Sequence, residues 1–69
     1  MWYASNTLGD KELAKKLARS ARRRGMYATR SFDTCWIEVL DENKLSDLRK
    51  FTNKYNVDLE HSTRPSFLG

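Results

Sequence analysis

The chain has one cysteine, one proline, one histidine and three glycines among 69 residues, and each scarcity excludes something. The single thiol, Cys35, permits no intrachain disulfide. Secreted domains of this size usually rely on several bridges, so a reducing, cytoplasmic setting is expected. No apolar run reaches the roughly 18 residues of a membrane span. Residues 1–6 lack both a basic and an apolar signal region, so they are expected to enter structure directly rather than to target the chain. Gly9 and Gly25 are isolated and make no phosphate loop. His61 has no cysteine or carboxylate constellation around it, so neither a metal nor another cofactor is expected. Cys35 has no base on its own face and reads as a small core residue rather than a nucleophile. Glu38 with Glu60 or Asp58 is at most a formal carboxylate couple. No catalytic residue is expected.

Cations are plentiful. The formal charge is +4 and the isoelectric point is near 9.5, a balance that favours polyanions or acidic proteins as partners. The charge is polarised along the chain. Residues 11–24 hold seven basic side chains against Glu12 alone, whereas residues 33–60 hold seven acids against four basic residues.

The stretch Thr34-Cys35-Trp36-Ile37-Glu38-Val39-Leu40 is rich in β-branched and aromatic residues and has no helical period, which suits a half-buried strand. Side chains alternate along a strand, so Cys35, Ile37 and Val39 share an apolar face, while Trp36, Glu38 and Leu40 share a mixed one. Residues 1–5 form an aromatic-rich first strand whose two faces, Trp2/Ala4 and Met1/Tyr3/Ser5, are not distinguished by composition. Residues 26–32 alternate as a second strand, with Asp33-Thr34 as the reversal into the third. Val57-Asp58-Leu59-Glu60-His61 alternates as a half-exposed edge strand.

Between the strands lie two helical patterns. Thr7 and Asp10 are spaced as a capping box, with Asp10 alone as the competing cap. From there to about Arg24, Leu13, Ala14, Leu17, Ala18 and Ala21 fall in one arc. Lys11, Lys15, Arg19 and Arg22 fall opposite, with Lys16 and Arg23 beside them and Glu12 placed to pair with Lys16. Gly25 supplies the left-handed end. The second helix follows Asp41-Glu42-Asn43, with Leu45, Leu48, Phe51, Thr52 and Tyr55 at intervals of three and four, and Asn56 as its left-handed end.

The order strand, helix, strand, strand, helix, strand, with right-handed crossovers, predicts an α+β fold. It is the split βαβ sandwich of ferredoxin-like (βαββαβ) layout: four antiparallel strands, two helices on one face, the first and third strands central. A three-stranded sheet without residues 57–61 is the alternative. The domain is expected over residues 1–61, with a polar tail over 62–69 that ends in Phe67-Leu68.

In that layout one sheet face is bare and would expose Tyr3, Tyr27 and Trp36. Aromatics on such a face are how RNA-recognition motifs stack single-stranded bases, although their basic–Gly–aromatic signature is absent from residues 34–40. Burial of these rings by Phe67 and Leu68, or by a dimer contact, is the plainer expectation. The cations Lys11, Lys15, Arg19, Arg22, Arg23 and Arg24 form a stripe suited to phosphates or to an acidic protein surface, on the opposite side of the sandwich. Two functions follow. One is a small non-catalytic protein that binds RNA or single-stranded DNA through the basic helix, the aromatic face or both. The other is a phage- or mobile-element-type effector, anti-CRISPR-like, that inhibits a host nucleic-acid enzyme or defence complex by protein–protein contact. A homodimer is compatible with either; a membrane is not an expected partner.

Overall fold

The computed structural model describes residues 1–6 and 9–68 of the chain. The elements run β1 (Trp2–Asn6), α1 (Lys11–Arg23), β2 (Tyr27–Ser31), β3 (Thr34–Glu38), α2 (Glu42–Lys54), β4 (Asp58–Ser62) and a short 3-10 turn (Ser66–Leu68). The four strands form one sheet in the order β2-β3-β1-β4, every neighbouring pair antiparallel. This is the ferredoxin-like layout, and the fourth strand pairs along its length with β1, which removes the three-stranded alternative. No described helix is long and apolar enough to cross a membrane.

Both helices pack on one sheet face. Leu17, Ala18 and Ala21 of α1 and Leu45 and Leu48 of α2 join Tyr3, Ala28, Cys35 and Ile37 in a single buried cluster. Alanines on α1 bring its axis close to the sheet, and Ile37 on the central β3 is fully sealed beneath it.

The helix ends explain how the chain turns from one layer to the other. Asp10 is the N-cap of α1 and accepts from the Leu13 amide at 3.0 Å. That satisfies one of the four orphan donors of the first turn. Thr7 lies outside the described residues. Asp41 caps α2 by accepting from the Asn43 amide at 2.9 Å.

Both helices finish in the same way. Gly25 and Asn56 take positive φ, and the next amides, of Met26 and Val57, donate back to Ala21 and Thr52 carbonyls. This is the Schellman arrangement, with its hydrophobic residue just past the end. Met26 and Val57 are buried, so each cap also anchors the strand that follows.

Two local expectations are corrected. The β2–β3 reversal lies at Phe32-Asp33, one residue earlier than expected, because Ser31 pairs with Thr34. Phe32 has φ +56 at the first loop position, which tight hairpins usually give to glycine. Glu12 meets Lys15 at 3.4 Å rather than Lys16.

Candidate nucleic-acid interface

Register decides which rings the sheet presents. Tyr3 pairs with Ile37, a core residue, and therefore points to the helices. It is 5% exposed, its hydroxyl donates to Met1 Sδ at 3.3 Å, and its ring lies 4.7 Å from the His61 ring. The expectation that Tyr3 stands on the open face is thus overturned, and Trp2 takes that place. Ser5, on the same inward side, accepts from the Cys35 amide at 3.0 Å. That bond replaces a backbone pairing and fixes which side of β1 is buried.

The open face carries Tyr27 and Trp36 as expected, but it is neither bare nor basic. The C-terminal turn folds onto it, and the Phe67 ring meets Trp36 edge-on at 5.4 Å. Trp2 meets Tyr27 edge-on at 6.0 Å. A pocket of about 350 Å³ remains between Trp2, Tyr27, Glu38, Arg64 and Leu68. Strand parity places Glu38, Asp58 and Glu60 on this face, where carboxylates oppose phosphate. Glu38 lies across from Trp2, with β4 beyond it, so it forms no couple with Glu60 or Asp58.

The helix layer is the opposite. α1 and its C-cap carry Lys11, Lys15, Lys16, Arg19, Arg22, Arg23 and Arg24, and α2 carries Lys44, Arg49, Lys50 and Lys54. Only Arg30 and Arg64 of the 13 basic residues lie elsewhere. A helix advances about 100° per residue, so Lys11, Lys15 and Arg22 form a row beside β2. Lys16 and Arg23 form a second row beside α2, and Arg19 is the crest between them.

Each row borders a cleft. One of about 310 Å³ is lined by Lys15, Arg19, Arg22, Thr29 and Arg30. The other, about 300 Å³, lies between the helices against Lys16, Arg19, Arg23, Arg24 and Phe51.

Among the described residues, α1 cations meet carboxylates only at Lys15–Glu12 and Arg24–Asp47. Arg24 is the more structural of the two. It reaches Asp47 at 2.7 Å and also donates to the Ser20 hydroxyl and carbonyl, tying α1 to α2. Of the cations singled out from sequence, Arg24 is the one whose carboxylate partner lies on the other helix. Arg22 donates to the Ala28 carbonyl through Nε and Nη2, at 3.1 and 2.8 Å. That holds its guanidinium over the edge strand and occupies a carbonyl that an added strand would need. Arg30 donates to the Phe32 carbonyl. Neither arginine has a carboxylate partner among the described residues.

Cys35 lies beneath them. Burial pushes its thiol up to about 12, against the opposing pull of Arg22 and Arg30. It therefore stays protonated at neutral pH and cannot serve as a thiolate.

The cations of α2 are the feature that sequence reading missed. Counted along the chain they are outnumbered by neighbouring acids, yet Lys50 and Lys54 sit one turn apart on the solvent side. Helical spacing sets Tyr55 in line with Leu45, Leu48 and Phe51. It is the C-cap of α2 and is 37% exposed, with Lys16 and Lys54 at 6.0 and 5.5 Å from its ring centre. No family model matches the chain, and no curated protein matches it.

Proposed function

We propose that this is a small non-catalytic protein that binds RNA or single-stranded DNA through its helix layer, with α1 as the principal contact. The observation that carries the reading is the excess of basic side chains on the helix layer, set against Asp10, Glu12, Asp41, Glu42 and Asp47 of the helices and their caps. Eleven of the 13 basic residues lie on the two helices and the α1 cap, and most of those on α1 have no carboxylate partner among the described residues. Like charges held together without counterions raise the local potential, and a phosphate backbone releases its own counterions on meeting them.

The sheet face is the weaker candidate. Tyr3 is buried, Trp36 is covered by Phe67, and the carboxylates there repel phosphate. Arg22 and Arg30 flank the cleft at β2, held there by the Ala28 and Phe32 carbonyls, and their unpaired positive charge suits phosphate.

The test is a titration of labelled single-stranded oligonucleotide against the wild type and an Arg19→Glu, Arg22→Glu, Arg23→Glu triple variant. Loss of binding in the variant supports the reading; equal affinity overturns it. An acidic protein surface could engage the same cations, as the effector alternative requires. That reading gains if the purified protein ignores oligonucleotides yet retains an acidic protein partner after nuclease treatment.

A further inference from the structure

The cleft between α1 and α2 has more than charge. Phe51 and Tyr55 lie ring to ring, with centroids 4.6 Å apart and planes 38° apart. Phe51 packs against the core cluster, so it is a fixed backing for the Tyr55 ring. Tyr55 itself remains 37% exposed, beside Phe51 and Lys16, which line the cleft. The ammonium groups of Lys16 and Lys54 stand 6.0 and 5.5 Å from its centroid.

Two exposed ammonium groups beside one ring, neither paired with a carboxylate among the described residues, make a surface that is both cationic and aromatic. It asks for a ligand that brings both a planar π face and negative charge. Lysine ammoniums are flexible point charges that can leave a ring for a phosphate, and the exposed ring can then accept a base. The adjoining cleft of about 300 Å³ is at the small end of ligand sites.

We infer that the α1–α2 cleft is a one-nucleotide seat, in which Tyr55 stacks the base and Lys16, Arg19 and Arg23 hold the phosphates on either side of it. This rests on the nucleic-acid reading above and adds base stacking to what would otherwise be a purely ionic contact. A sequence-independent single-strand site is built from these two parts, a cationic track and an aromatic platform.

The test compares an oligothymidylate with an abasic phosphodiester chain of equal length, by fluorescence anisotropy, on the wild type and on Tyr55→Ala and Tyr55→Phe variants. The wild type should bind the thymidylate about 5- to 140-fold more tightly than the abasic chain, the size of one base–aromatic stack. Tyr55→Ala should lose that preference and Tyr55→Phe should keep it. Equal wild-type affinity for the two chains overturns the seat without any variant having to fold. So does a Tyr55→Ala protein that retains the preference. If both chains bind equally and both weaken in Arg19→Gln, Arg23→Gln, the ionic reading stands and stacking is refuted. If the wild type binds neither chain, the nucleic-acid reading falls with it.

Discussion

Replacing Ser5 by alanine isolates the contact that decides which face of β1 is buried. The Ser5 hydroxyl accepts from the Cys35 amide at 3.0 Å, where Ser5 is 3% exposed and Cys35 is fully buried. Alanine fits the space but leaves that amide without an acceptor and out of reach of water. A buried unsatisfied donor costs about 1–3 kcal/mol. A chain of this length has about 3–10 kcal/mol of total stability, so the loss is a large fraction of it. At about 4–8 °C per kcal/mol for a domain of this size, Tm should fall by about 4–24 °C. Paired thermal and urea melts followed by far-UV circular dichroism measure it. Ser5→Thr, which keeps the hydroxyl, serves as the control. A Ser5→Ala protein within about 0.5 kcal/mol of wild type, the scatter of neutral substitutions, would show that the hydroxyl does not fix the face.

Other consequences are as direct. Because folding raises the Cys35 pKa from 9.0 to about 12, the unfolded chain loses that proton first. Stability should therefore fall as pH rises from about 9 towards 12, by up to about 1.4 kcal/mol per pH unit, and the slope should shrink by that amount in Cys35→Ala. In the same native state at pH 8, a thiol reagent should modify Cys35 only at the rate of unfolding. Phe67→Ala should uncover Trp36, shift its fluorescence to the red and cost about 0.5–1.5 kcal/mol, while oligonucleotide affinity stays unchanged because α1 lies on the other side of the sheet. Asp47→Asn should loosen the α1–α2 tie at Arg24 by about 1 kcal/mol or less, given that the carboxylate is half-exposed, and it should strengthen oligonucleotide binding by removing a negative charge beside Arg24 and Lys50.

The architecture was legible because its determinants are local. The alternation of Cys35, Ile37 and Val39 names a buried face without reference to any other strand. The alanine-rich arc of α1 and the left-handed residues Gly25 and Asn56 mark the helix limits. What could not be read depended on pairing between distant segments. Trp2/Ala4 and Tyr3/Ser5 are equally plausible inward faces until β1 is set beside β3, where Tyr3 meets Ile37 and Ser5 finds the Cys35 amide. The reversal at Phe32 was missed because φ +56 at a bulky residue has no compositional sign. The candidate site divided in the same way. The row of cations on α1 follows from helical spacing alone. The contribution of α2 was hidden, because Lys50 and Lys54 share a helix and its cap with Asp41, Glu42 and Asp47, and Tyr55 matched the apolar period that it in fact terminates.

The most direct measurement of the central claim is the salt dependence of binding to single-stranded oligonucleotide. Five cations bordering the β2 cleft and the α1 crest (Lys11, Lys15, Arg19, Arg22 and Arg30) would give a log–log slope of about −3.5, at about −0.7 per phosphate neutralised. Replacing Arg19 and Arg22 by glutamine should reduce its magnitude by about 1.4 on the same scale. A slope near zero, or a slope that the double variant leaves unaltered, would contradict a phosphate contact through the helix layer.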